Sequence, residues 1–434
     1  MTTIESARPI GCDRLSVIHW VDFCLSQSTT DEDLFMFRFL ACIAVCLISI
    51  PTRAVDLPSS PVEQFLHEGR FAEGETELLL ALDANPSDDE ARFGLGVLQF
   101  VRAVQNLGQS LYDYGAISGI NNQPFLRLPV PLNKNPSAIS YKELGRVLDA
   151  FASELDRAEN TLAAIQGDQV KLKLRLSGVT FDFTGTGKEQ TTLLQVLVNL
   201  NGGRLEIEKA NPDFRVHFDR GDVAWLRAYC HLLCAMVDGY RAFDEEPGFE
   251  RRVSMVFPKV ESVTDSNPNI DWQGLKLVDA PRLRRMRLHI VKVCELNRET
   301  WAHYRKETDD DFEWLPNAKQ TDQLGMLLTD ERIDAWLGMM TQLEGLMTGE
   351  RLVPSNLLRA IANEHPPGQG LNVKTLLDNP RSDLLNWNRV NAEGIDAKYL
   401  EPEAGKPALD LNALFNVFRM FSGPFGFAQA ARLN

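Results

Sequence analysis

Basic charge is scarce in this chain. Lys and Arg number 45 against 60 Asp and Glu, a formal net charge of −15 over 434 residues. A phosphate backbone is read by a basic footprint, so nucleic acid is excluded as the expected main partner. Long hydrophobic runs are also missing. The longest apolar stretch, Phe39–Ile50, is too short to cross a bilayer comfortably, which excludes a multi-span membrane protein. Cysteine totals seven, and four of these (Cys12, Cys24, Cys42, Cys46) lie in the first 54 residues. The remaining Cys230, Cys234 and Cys294 are too few for a disulfide scaffold. Signatures of nucleophilic and zinc hydrolases are absent as well. There is no G-x-S-x-G and no H-E-x-x-H, and the serine beside glycine, Ser422-Gly423, lacks the required context.

The apolar stretch itself has the form of a secretory signal. Arg38 precedes it, and Pro51-Thr52-Arg53-Ala54 follows with small residues at the −1 and −3 positions of a cleavage site. The acidic Asp31-Glu32-Asp33 does not suit the start of such a signal, so Met36 is the better initiator. The expectation is an upstream extension plus signal over 1–54 and cleavage before Val55. No stable transmembrane span would remain, and the protein would be exported to a periplasmic or extracellular space. An uncleaved anchor is the rival reading, and Arg38 within the span counts against it.

Three further segments follow from residue patterning. Over 55–118, Phe65, Gly74, Ala81, Pro86 and Leu95-Gly96 recur at spacings that let two helices pack closely. Residues 119–139 are rich in Pro and Asn and read as an extended connector. Residues 140–434 read as a helical body with a β insertion at about 169–218. Ser140 to Glu143 has capping-box spacing, and Leu144, Val147, Leu148, Phe151, Leu155, Ala158 and Leu162 then recur with helical period. The pattern switches to strict alternation at Val170–Leu176. Ser177-Gly178 is placed to turn this strand into a hairpin with Val179–Phe183. Leu205–Glu208 and Phe214–Phe218 also alternate. Asp222–Phe243, Pro281–Lys306, Asp330–Met347 and Asp410–Phe421 are the strongest later helices. Val353–Glu403 is broken into short pieces, and Phe421–Phe427 has the composition of a core plug. The expected fold class is therefore mainly α with a small inserted antiparallel β region.

The spacing of Gly69-Arg70-Phe71, Gly74, Leu78, Ala81, Pro86 and Leu95-Gly96 resembles the tetratricopeptide repeat, over residues 61–118. The resemblance is partial. Gln99 stands where an aromatic is usual, and Gly108 and Gly115 take the small-residue sites of the second unit. It implies a helical hairpin near the mature N-terminus and a surface for a protein or peptide, with Phe93, Leu95, Phe100 and Tyr112 as its candidate contacts.

Candidate metal residues fall in two places. Asp182, Thr184, Thr186 and Gly187 match positions 1, 3, 5 and 6 of a calcium loop, but Thr replaces two acidic ligands and Leu193 stands at position 12. The same stretch fails as a phosphate-binding loop, because Asp182 takes the place of its first Gly and Glu189 that of its hydroxyl residue. Glu299 and His303 are four residues apart on one helical face, with Glu295 a turn earlier, a possible metal half-site. The acidic run Glu307–Glu313 follows, read as a solvated loop that can supply a cation site with Glu299 or Asp330. Cys230, His231 and Cys234 read as helix core, because their side chains diverge around the helix. Arg282, Arg285, His289 and Lys292 form a polar stripe read as a solvated face. The leading functional expectation is a non-enzymatic helical scaffold or peptide-binding module that needs no cofactor. A metal-assisted hydrolase centred on Glu295–Glu313, and a calcium-binding envelope protein using the Asp182 loop, are the alternatives.

Overall fold

The computed structural model describes residues 60–117, 128–200, 214–261, 275–321, 328–362, 365–413 and 415. The signal segment, the Leu205–Glu208 strand, the Phe421–Phe427 plug, most of Asp410–Phe421 and part of the Pro/Asn connector lie outside them. The described chain is mainly helical with small two-stranded antiparallel sheets. None of its helices is long and apolar enough to cross a membrane.

Among the described residues, the first four helices are α1 (Pro61–Glu68), α2 (Phe71–Ala84), α3 (Asp89–Asp113) and α4 (Tyr141–Ala163). Their ends follow local chemistry. Pro occupies the first turn of α1, where no amide partner is needed, and Gly69 ends it at φ 67°. Asp88 caps α3 by accepting from the Ala91 amide. Ser140 and Glu143 form the expected capping box, and Leu144, Leu148, Phe151, Leu155, Ala158 and Leu162 make the buried face of α4. The expected second repeat unit would need a turn within 89–113. That segment is instead one continuous helix, with Gly96 and Gly108 inside it. The reason lies in packing. A Cβ on Gly96 would meet Leu162 at 2.4 Å, and one on Gly108 would meet the Phe183 ring at 2.1 Å. These glycines admit neighbours against one long helix and do not mark a second hairpin.

The β region corrects the expected hairpin. β1 (Leu172–Arg175) alternates buried and half-buried as its sequence requires. After it, Leu176–Gly178 forms a 3₁₀ turn. β2 (Thr180–Phe181) then pairs with β3 (Thr191–Thr192), which runs directly into α5 (Leu193–Leu200). The partner of β1 is β4 (Arg215–Phe218), in antiparallel register from Leu172↔Phe218 to Arg175↔Arg215. Burial decides this choice. Phe181 and Phe183 stack at 5.3 Å, Phe181 meets Phe71 edge-on, and both rings are almost wholly enclosed. A hairpin return along β1 would give up that aromatic contact.

Beyond the β region come α6 (Arg220–Arg241), α7 (Glu246–Val256), α8 (Ala280–Tyr304) and α9 (Asp330–Thr348). Short elements follow: α10 (Ser355–Ile361), β5 (Gln369–Leu371), α11 (Val373–Asp378), α12 (Trp387–Glu393) and β6 (Leu400–Pro402). The β5–β6 pair is a third sheet that the Pro- and Gly-broken sequence did not announce. The long helices pack in series: α2 on α3, α3 on α4, α4 on α6, α6 on α8 and α8 on α9. One hydrophobic cluster runs from Val62 to Met340 across the whole series. The expected solvated stripe on α8 belongs to this packing. Arg282 and Arg285 both reach Asp238 of α6, and Arg282 also pairs with Asp149 of α4.

Candidate functional site

The residues expected to form a peptide groove are largely interior. Phe93 and Leu95 are 1% and 2% exposed, and Phe93 packs edge-on against Phe218 of β4. Phe100 packs on Tyr229 of α6, and Tyr112 is half-buried. Phe93 and Phe100 stand a heptad apart on the face of α3 that the rest of the body covers. An apolar stripe at this spacing signals a core face as readily as a docking face, and here it is core.

The Asp182 loop is closed on itself. Asp182 Oδ1 accepts from the amides of Thr184 and Gly185 and from the Thr184 hydroxyl, and Oδ2 accepts from the Gly187 amide. Thr184 and Thr186 hydroxyls bond each other at 2.7 Å. Burial disfavours the Asp182 anion, yet these donors outweigh it and hold the carboxyl below its usual range. The oxygens that would have faced calcium thus serve the turn. Glu299 is likewise engaged, with Arg220 at 2.8 Å, and Glu295 pairs with Lys292. Among the described residues, two groups of His, Cys, Asp and Glu stand close enough to share an ion, and neither contains Asp182, Glu299 or His303.

One group assembles where α6 begins. Asp219 caps α6: Oδ1 accepts from the Gly221 amide at 2.7 Å and the Asp222 amide at 3.4 Å, while the Asp219 amide donates to Asp222 Oδ2. Asp222 is wholly buried and accepts at 2.5 Å from the Tyr304 hydroxyl, from the last turn of α8. Burial, then the neighbouring Asp219, pushes its carboxyl well above the ordinary range. The chain leaving α8 bends back over this cap. Asn317 Nδ2 donates to the Tyr304 carbonyl, Gln320 Nε2 to the Asp309 carbonyl, and Thr321 to Asp310. Phe312 sits at φ 63°, the left-handed region that a bulky residue adopts only under constraint. That turn sends Asp311 to His217, 2.9 Å away, and buries Glu313.

The result is a triad: Asp219, Glu307 and Glu313 each bring a carboxylate oxygen within 4.8 Å of the others. Each engages one oxygen with a neutral donor. Asp219 Oδ1 accepts from the helix amides, Glu307 Oε2 from Gln320 at 3.2 Å, and Glu313 Oε1 from the Asp311 amide at 3.1 Å. Glu307 Oε1 is buried with no donor from the protein. Lys171 lies near enough to lower Glu313, but its ammonium is paired with Asp309 at 2.6 Å. Burial, reinforced by a hydrogen bond with Asp219, pushes the Glu307 carboxyl up to about 9, and burial pushes that of Glu313 up to about 7. Carboxylates this close need a proton or a cation between them.

The sequence placed attention on Glu307–Glu313 but missed Asp219, the burial of Glu313 and the half-burial of Glu307. A signal was present: Asp219-Arg220-Gly221-Asp222 before the apolar run has capping-box spacing with Asp in place of the usual Glu. Comparison with family models, with curated proteins and with solved structures finds no match to the chain.

Proposed function

We propose that the protein is an exported helical cation-binding protein, with Asp219, Glu307 and Glu313 holding a divalent ion of the Mg²⁺/Mn²⁺ or Ca²⁺ class. The observation that carries this reading is the meeting of three carboxylates within 4.8 Å of one another, at one of which, Glu307, no protein group donates to Oε1. Three protein oxygens suit a hard ion that keeps its remaining ligands as water, which favours the smaller octahedral ions over Ca²⁺. In the metal-free state a proton on Glu307 takes the ion's place. The ion would tie the loop from Arg305 to Thr321 onto the cap of α6. It would thereby join the end of α8 to the start of α6.

Isothermal titration of the EDTA-treated protein with Mg²⁺, Mn²⁺ and Ca²⁺ tests the reading. One equivalent should bind more tightly than about 1 mM. Glu307→Gln and Glu313→Gln should each abolish that binding while leaving the helical circular dichroism intact. Absence of binding to the wild type defeats the proposal. The hydrolase alternative keeps one support, the Glu313 carboxyl near 7, where a general acid or base works best. Metal-stimulated turnover lost in Glu313→Gln would favour it over a structural ion.

A further inference from the structure

The second convergent group is built from different chemistry. Asp156 of α4, Cys234 of α6 and His289 of α8 bring an oxygen, a sulfur and a nitrogen within 4.8 Å of one another. Cys234 Sγ lies 3.6 Å from both Asp156 Oδ1 and the Ala152 carbonyl. His289 Nδ1 is 2.8 Å from His231 Nδ1, so one of these two nitrogens carries the proton between them. His231 Nε2 in turn lies 3.5 Å from Glu159 Oε1, which Arg227 Nε holds at 3.0 Å. With a proton on His231 Nε2, beside the Glu159 carboxylate, His231 Nδ1 would accept from His289 Nδ1–H and the His289 lone pair would fall on Nε2.

We propose that Asp156, Cys234 and His289 form a transition-metal site of the zinc class, with a fourth position open to water or a ligand. A mixed sulfur, nitrogen and oxygen donor set is what zinc and its neighbours take, and three protein ligands with one open position is the pattern of an accessible site. The bond to His231 Nδ1 is the outer support such an imidazole needs, with the Glu159 carboxylate 3.5 Å from the far nitrogen of that second ring. Of the three, Asp156 is exposed, and it also lines an open groove of about 580 Å³ with Arg92 and Asn160; Cys234 is buried and His289 half-buried behind it.

Binding has to release the Cys234 proton. Burial, then Asp156, raises the thiol well above its ordinary range, so the metal must outcompete that proton. Without metal it is a protonated thiol donating toward Asp156. On binding, the S–H bond breaks, a sulfur–metal bond forms, and one proton leaves to solvent. The thiolate and the Asp156 carboxylate then neutralise the dication. No oxidant or reductant is involved. Cys230, one turn away and fully buried, takes no part.

The site is separate from the carboxylate triad, and Co²⁺ as the probe separates the two. The metal-stripped full chain should take up one equivalent of Co²⁺ with a sulfur-to-cobalt charge-transfer band, and Zn²⁺ should bleach it. Cys234→Ser should remove the band and Cys230→Ser should keep it. Asp156→Asn and His289→Gln should weaken Co²⁺ binding about tenfold or more. Glu307→Gln should leave the band unchanged even if it removes Mg²⁺ binding. A wild type without the band, or a Cys234→Ser protein that keeps it, overturns the proposal. Should Cys234→Ser fail to fold, Asp156→Asn decides, because its side chain is on the surface: wild-type Co²⁺ affinity there overturns the site equally.

Discussion

Glu75 is buried and Glu307 half-buried, and the surroundings of these two acidic side chains are opposite. Glu75, on α2, is only 4% exposed in its side chain. It accepts from Gln99 at 3.1 Å and pairs with Arg102 on one oxygen and Arg157 on the other. Those partners come from α3 and α4, so one carboxylate joins three consecutive helices. Glu307 faces Asp219 and Glu313, with Gln320 as its neutral donor. A buried charge is tolerated when opposite charges and donors surround it and is strained when like charges do. The first arrangement stabilises a seam. The second stores repulsion that a proton or a cation relieves, and that difference is why the triad reads as a site and the seam reads as architecture.

Substitution at each member of this comparison should give distinct results. The largest effect is expected for Glu75→Ala, which leaves Gln99 and two guanidinium groups without their shared acceptor. Chemical denaturation should show a loss of about 3 kcal/mol. Glu307→Gln should go the other way. The folded-state pKa of Glu307 is raised from 4.5 to about 9, so its stabilising contribution is complete below pH 4.5 and is lost as pH rises toward 9. In metal-free buffer the amide should therefore gain on the order of 1–2 kcal/mol at pH 8, and the gain should vanish near pH 4.5. A Glu307→Gln protein that is destabilised at both pH values would remove the contrast with Glu75.

Glu313→Gln should behave similarly but more weakly. Its raised value, about 7, confines the loss of stability to the interval from pH 4.5 to 7. The expected gain above pH 7 is about 1 kcal/mol, read from thermal unfolding across pH. The smallest effect belongs to Lys171→Ala. Its ion pair with Asp309 is 42% and 51% exposed on the two side chains, so the loss should stay under about 1 kcal/mol and shrink further in salt.

Local patterning carried much of the helical architecture. The Ser140–Glu143 capping box and the heptad-like run from Leu144 to Leu162 specify α4 with little outside help, because caps and a 3.6-residue period act within a few turns. The alternation of β1 was equally legible, but its partner was not. Ser177-Gly178 offers a turn, yet the burial of Phe181 and Phe183 against α2 and α3 depends on residues about 75 to 110 positions earlier. The same blindness applied to the candidate sites. Glu299 and His303 share a helix face by spacing, but Arg220 from another helix engages Glu299. Asp182 looked like a cation ligand, and its own loop amides use both of its oxygens.

By itself, the sequence determined the acidic balance, the shortage of cysteine, the positions of the long helices and the presence of an alternating strand. Each of these depends on composition or on contacts a few residues apart. Tertiary structure alone decided which face of α3 is core, where β1 finds its partner, and which titratable groups meet. Asp219 is joined to Glu307 and Glu313 by the return of the loop after α8 onto the cap of α6. Asp156, Cys234 and His289 are joined by the packing of α4, α6 and α8. No local spacing encodes such meetings, because they arise from apolar helix faces seeking burial, and the polar groups carried on those helices converge as a consequence.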